Sequence, residues 1–340
     1  MGAIVGGLYA SGMTAAELEE LVGSLDWAGA LTDKPERSDL SFRRKQDDAE
    51  YPIDIELGVR GTDLVLPKGV IQGQKLDLLL RELTIKTSHI EDFDDLPIPF
   101  RAIASDIERG EAYVIGSGDL ARAIRASMSV PGAFSPVRID GRLLVDGGIV
   151  GNLAVDVIQD LGVDIVIAVD VEFPLYSADE LGSVLTISEQ MLTILIRKET
   201  LRQIDRMGAH DVLIRPELGT FASTDFGNIT ETIEPGERAA RAKAHRLEEL
   251  ALNQADYDDY HSRRTAPLPI APTLAFVRVL HEGKLSPAVL KSRLSVEAGD
   301  PIDTKVLAEN ADRLYGLQLY EQVGYQLVEE NGVTGVEYSA

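Results

Sequence analysis

The sequence predicts an α/β fold, with a mostly parallel sheet flanked by helices, followed by a small α+β domain. Three observations carry this expectation. Short apolar runs suited to buried strands alternate with stretches of helical period up to residue 252. Within them, residues 164–169 (Asp-Ile-Val-Ile-Ala-Val) are almost continuously apolar, as expected of a central parallel strand covered on both faces. A segment with three prolines, 262–272, then reads as a stiff linker, and beyond it the pattern is strand, helix, helix, strand, strand. The expected organisation is a domain over 1–261, a linker over 262–272 and a second domain over 273–340.

Residues 1–12 are small and apolar on all sides, which suits a helix packed all round. Thr14 and Glu17 have capping-box spacing and start a helix through Leu18, Leu21, Val22 and Leu25. Residues 33–50, with Arg37, Arg43, Arg44 and Lys45, read as a solvated loop. Residues 64–69 end an extended piece, and 72–83 place Leu76, Leu79, Leu80 and Leu83 on one helical face. Residues 100–105 and 112–115 pair as strands around a turn at Gly110. Asp119 caps a helix through Leu120, Ile124 and Met128. The run 142–145 is a buried strand, and Asn152 is the expected N-cap of a helix through Leu153, Val157 and Leu161. Residues 177–207 form a long helical pattern whose apolar side is expected in the core, with an acyl-chain groove as the alternative. A strand at 211–214 and a charged helix at 237–252 complete the first part. In the second, strands are expected at 274–280, 320–328 and 333–338, and helices at 286–294 and 304–315.

The 340 residues give room for a sizeable core. The formal charge of -23 argues against nucleic acid as a partner, since phosphate binding needs a basic face. With no cysteine, disulfides, thiolate catalysis and cysteine metal sites are excluded. No apolar run approaches the roughly 18 residues of a membrane-spanning helix. Residues 1–16 lack the positive n-region of a signal peptide. There is no His-x-x-x-His pair, Walker loop or Gly-x-Gly-x-x-Gly, so neither a metal nor a nucleotide cofactor is expected.

The stretch 127–157 holds the candidate chemistry. Asp146 ends a strand, where α/β sheets place reactive groups. Gly147 and Gly148 follow, expected to take positive φ and to approach a second loop closely. A carboxylate there can accept a proton from a nucleophile. Asp-Gly-Gly in isolation is an ordinary turn; the surrounding residues raise its significance. Ala126-Ser127-Met128-Ser129-Val130-Pro131-Gly132-Ala133-Phe134 followed by Val145-Asp146-Gly147-Gly148 resembles the patatin-like phospholipases. Two further phrases agree in order: Met1 to Gly12, similar to the helix after the family's nucleophile elbow, and Leu66 to Leu76. The resemblance implies lipid acyl hydrolysis, of phospholipid or another acyl-ester lipid at a membrane surface, by a Ser–Asp dyad whose proton acceptor is Asp146.

On that alignment Met1 and Gly2 are the last two residues of Gly-x-Ser-x-Gly. The serine precedes Met1, and the sequence contains no other Gly-x-Ser-x-Gly. The expectation is therefore a truncated patatin-like domain, lacking its first strand and nucleophile strand and inactive by itself. None of His89, His210, His245, His261 and His281 follows a strand within a glycine turn, so none replaces Asp146 as the base. Residues 273–340 resemble a POTRA domain, through Arg313 to Leu327. That implies an exported parent at the outer membrane or cell surface, with a C-terminal β-barrel. The alternative is a non-catalytic scaffold in outer-membrane export or assembly. A homodimer stays open.

Overall fold

Three helices open the chain: α1 (Gly2–Ala10), α2 (Ala15–Ser24) and α3 (Trp27–Ala30). The computed structural model describes residues 2–31, 58–60, 63–65, 71–171, 174–219, 221, 226–266, 273–281, 285–317, 319–320 and 322–340. The loop expected at 33–50 lies outside them. The capping box forms as the spacing predicts: the Thr14 side chain accepts from the Glu17 N–H, and the Glu17 carboxylate accepts from the Thr14 N–H at 2.7 Å. Helix α1 buries Ile4, Gly7 and Leu8 but leaves Val5 and Tyr9 exposed. It is covered on one side rather than all round.

A short hairpin, β1 (Gly58–Arg60) and β2 (Asp63–Val65), precedes helix α4 (Gln74–Thr84). Next come β3 (Ala102–Asp106), β4 (Glu111–Ile115), helix α5 (Leu120–Ser127), β5 (Val137–Ile139) and β6 (Arg142–Asp146). Asp119 caps α5 as expected, accepting from the Arg122 N–H at 3.2 Å. The four strands form one sheet in the order β4-β3-β6-β5.

Every pairing in this sheet is antiparallel, which corrects the expectation of a mostly parallel one. The connections explain it. A parallel pair needs a crossover of a dozen residues or more. Here β3 turns straight into β4 through Gly110, and β5 into β6 through Asp140 and Gly141, both at positive φ (51° and 74°). Two successive left-handed residues make a type I′ hairpin, whose twist matches paired antiparallel strands.

Two short helices follow Asp146: α6 (Gly148–Gly151) and α7 (Val155–Asp160). Asn152 is not the N-cap expected. It closes α6, its side-chain amide donates to Thr200 Oγ1 at 3.0 Å, and Ala154 begins α7 from a left-handed conformation. Strand β7 (Ile167–Val169) pairs in parallel with β8 (Val212–Ile214), as its apolar run predicts. The pair is separate and two-stranded, with Ile167 and Val169 about half exposed, so β7 is not a central strand among the described residues.

Between them runs α8 (Val184–Ile204). Core burial was expected for its apolar side, yet Ile187, Met191 and Leu195 are exposed. Polar groups hold its inner face instead: Thr200 meets Asn152, and Gln203 Oε1 accepts the Asp156 N–H at 3.1 Å. The charged helix expected over 237–252 is broken. Its first part lies in α9 (Ile233–Arg241), and α10 (Gln254–Arg264) begins after a second interruption.

The C-terminal segment has the predicted order: β9 (Val277–Leu280), α11 (Pro287–Lys291), α12 (Thr304–Tyr315), β10 (Gly324–Glu330) and β11 (Val333–Ser339). Its sheet runs β10-β11-β9, with β10 and β11 antiparallel and β9 parallel to β11.

Two apolar cores meet on α4. Leu76 and Leu80 join the core of α1, α5 and the four-stranded sheet; Leu78 joins Leu307, Leu314, Tyr325 and Tyr338 of the C-terminal segment. Polar contacts reinforce the seam. Gln74 brackets the Val323 backbone, donating to its carbonyl at 2.6 Å and accepting its N–H at 2.9 Å. Arg81 Nη1 donates to the Tyr325 carbonyl at 2.6 Å.

Candidate active site

Asp146 stands at the carboxyl end of β6, paired across the sheet with Ala104 of β3. Three hydrogen bonds fix its place in the chain. Its N–H donates to the Ser129 carbonyl at 2.9 Å, and its carbonyl accepts from Ser105 Oγ at 2.7 Å. Its Oδ1 accepts from the Gly148 N–H at 2.7 Å. The side chain is mostly surrounded by protein while keeping part of its surface open. Burial disfavours the charged form and raises its pKa above the ordinary carboxylate value. The Gly148 N–H pulls the other way without reversing the shift.

The two glycines serve differently from expected. Neither has positive φ; Gly147 lies in the right-handed helical region at φ −71°. The close approach does occur. A Cβ on Gly147 would run into the carbonyl oxygen of Ile103 on β3, and one on Gly148 would stand 2.8 Å from Asp146 Oδ1. Glycine at both positions lets the chain leave β6 pressed against its neighbour and brings an N–H under the carboxylate. Gly2 opens α1 with open space around its Cα, while Met1 lies outside the described residues.

The phrases that carried the resemblance come together. Residues 66–70 lie outside the described residues, but Ile71 bridges in parallel to Phe134: its N–H donates to the Ala133 carbonyl at 2.9 Å, and its carbonyl accepts from Ser135 at 3.0 Å. Helix α1 packs on α5, where a Cβ on Gly7 would lie 3.1 Å from Ile124 Cγ1. Sequence reasoning missed Ser105 and Ser129, which bond the Asp146 backbone, and Arg125, which bonds Ser129. A signal existed for the last: Arg125 is a lone cation among Ala123, Ile124 and Ala126, on a face otherwise dictated by burial. His89, His210 and His245 are exposed. Among the described residues no three His, Asp or Glu side chains are grouped to hold a metal ion.

An acid whose pKa burial raises, at a strand's carboxyl end with a glycine turn and a helix behind it, is a candidate for acid–base chemistry. The family is given by comparison: the model of the patatin-like phospholipases matches residues 1–158, and this stretch is a patatin-like phospholipase domain. An NTE family protein of Mycobacterium tuberculosis, itself uncharacterised, is 31% identical over 169 residues, covering 50% of this chain and 38% of the relative. Patatin-like phospholipase domain-containing protein 7 of Mus musculus is 32% identical over 173 residues, 44% of this chain and 13% of the relative. A lysophospholipase of Aspergillus niger is 41% identical over 88 residues, 26% of this chain and 6% of the relative. The chain thus spans well under half the length of these relatives.

Proposed function

We propose that this domain hydrolyses acyl esters of phospholipids or related lipids through a Ser–Asp dyad in which Asp146 is the proton acceptor. The observation that carries the reading is the placement of Asp146 at the end of β6, held by Ser129, Ser105 and Gly148, with burial keeping its pKa above that of a free carboxylate. Such a carboxylate is a better base than one in water, and a base matched to working pH is what general base catalysis asks for. In the proposed step, the serine that the family pattern places just ahead of Met1 gives its hydroxyl proton to Asp146. Its oxygen attacks the ester carbonyl, and the tetrahedral intermediate collapses as the alcohol leaves with the proton from Asp146. Water, deprotonated by the same carboxylate, then releases the fatty acid. The matched family and the lysophospholipase relative support the substrate class.

We infer further that residues 273–340 are a POTRA-like module; what supports this is the order β9-α11-α12-β10-β11 and the mixed three-stranded sheet.

The test is ester hydrolysis by this domain preceded by an in-frame Gly-x-Ser segment. Asp146→Asn is expected to lower kcat by about 10²–10⁴-fold, the usual worth of a general base, with KM little changed. The pH profile should show an acid limb set by Asp146. Full activity in folded Asp146→Asn would remove the dyad.

A further inference from the structure

Asp146 is held through a residue that is itself held. Ser129 is fully buried, and its two ends serve different partners. Its carbonyl accepts the Asp146 N–H at 2.9 Å. Its hydroxyl accepts from Arg125 Nη1 at 2.6 Å and donates to the Arg125 carbonyl at 2.7 Å, closing a ring between the last turn of α5 and the following loop. Arg125 is 1% exposed. Its Nη2 donates to the Gln72 carbonyl at 2.9 Å and, at 3.5 Å, to that of Ser135. Its Cζ stands 5.0 Å from the centre of the Phe134 ring. The chain has made room for it: Gly73 passes beneath at φ +83°, where a Cβ would lie 2.7 Å from Nε and 2.9 Å from Cζ.

Burying a guanidinium is costly unless its N–H groups are satisfied, and its planar fork fixes the groups that satisfy it. Here those groups are Ser129 and Ser135, in the 127–135 loop, and Gln72, just ahead of α4. We propose that Arg125 is a positioning residue for Asp146, acting through Ser129, whose carbonyl it locks against the backbone N–H of the acid. Arg125 makes no contact with the carboxylate in this scheme. Its effect is to keep the 127–135 loop closed over the strand end, so that Asp146 stays aimed and shielded. The inference rests on the reading of Asp146 as the dyad acid.

Lysine at 125 keeps the charge but places three donors on a single nitrogen, so it cannot span the same three acceptors. Alanine at 129 removes the hydroxyl and keeps the carbonyl. Either change should loosen the loop and admit water to the carboxylate. The experiment follows the 13C carboxyl resonance of Asp146 with pH in the 340-residue chain, assigned by its loss in Asp146→Asn. Arg125→Lys and Ser129→Ala are expected to bring the titration midpoint down by about half a pH unit or more, towards the value of a hydrated carboxylate. Leu18→Ala, a core truncation in α2 away from the ring, should lower the melting temperature and leave the midpoint in place. A midpoint unmoved in both folded ring variants overturns the proposal; should Arg125→Lys not fold, Ser129→Ala decides it alone. In the serine-bearing chain the same two variants should lose kcat with KM held. The dyad reading fails on a separate result, unimpaired hydrolysis by Asp146→Asn, which leaves the titration outcome untouched.

Discussion

Asp106 and Asp146 lie two register positions apart on neighbouring strands, Asp106 opposite Leu144 and Asp146 opposite Ala104, and their surroundings push them in opposite directions. The side chain of Arg109 is the main influence on Asp106; with Arg142 it outweighs burial and holds the pKa down to about 2. Among the described residues no such cation pairs with Asp146, and burial, the largest influence on it, raises its pKa. Under the proposed dyad the two acids divide the labour, Asp106 structural and Asp146 chemical. Each has its own pH signature. For Asp106 the folded value is depressed, so its contribution is complete above the unfolded value near 3.8 and is lost as pH falls through about 2. Asp106→Asn should therefore melt below the wild type at neutral pH, with the gap closing over that acid window. For Asp146 the folded value is raised, so stability is greatest below 3.8 and declines as pH rises through the folded value. Asp146→Asn should accordingly melt above the wild type at neutral pH, with the advantage vanishing in acid. Thermal melts of both variants across pH 2–8 read the two curves; a neutral-pH loss of stability in Asp146→Asn would contradict the burial account.

Elements were legible wherever their signals were local. The caps at Thr14, Asp119 and Ser286, with Pro287 in the first turn, mark helix starts that the structure reproduces. Strand direction is less legible, because alternation with helices suggests parallel pairing while the turn residues specify antiparallel pairing. Asp140-Gly141 and Asn331-Gly332 are both two-residue hairpin signals, and all four residues have positive φ. Read as such, they specify antiparallel pairing of β5 with β6 and of β10 with β11. The Asn152 error has another origin. The residue is a good capping type, but its partner is Thr200, forty-eight positions away, and no local pattern reveals that bond. The candidate acid was visible in the sequence, whereas its supports were not, since Ser105 and Ser129 act through single hydrogen bonds across elements. Gly147 tests how tightly the elements are joined at the acid. A methyl group there has to displace the Ile103 backbone inside the sheet rather than a flexible side-chain end. Gly147→Ala is expected to cost about 1–3 kcal/mol, the usual penalty of overpacking, and to shift the β3–β6 amide resonances. A neutral effect in urea unfolding would show that β6 can slide.

At the scale of the whole molecule, α4 is the common wall of both cores, so the two parts of the chain should unfold together. Leu76 and Leu80 face one core and Leu78 the other, so separating the parts exposes apolar surface on a single helix. The seam is specified more sharply by Gln74, which is fully buried and bonds both backbone groups of Val323. Gln74→Leu keeps the side-chain bulk but strands a buried N–H and a buried C=O, at about 1–3 kcal/mol for each group left unsatisfied. Two probes report on the two sides. Trp27, the sole tryptophan, is buried in α3 against α4, and the amides of β10 begin immediately beyond Val323. In the wild type, Trp27 fluorescence and hydrogen exchange of β10 should report one coincident urea transition. In Gln74→Leu the β10 amides should lose protection at lower urea than Trp27 responds, because the C-terminal segment can then leave α4 first. Coincident transitions in the variant, displaced only in midpoint, would mean that apolar packing on Leu78 alone couples the two parts. Separate transitions already present in the wild type would mean that α4 does not couple them at all.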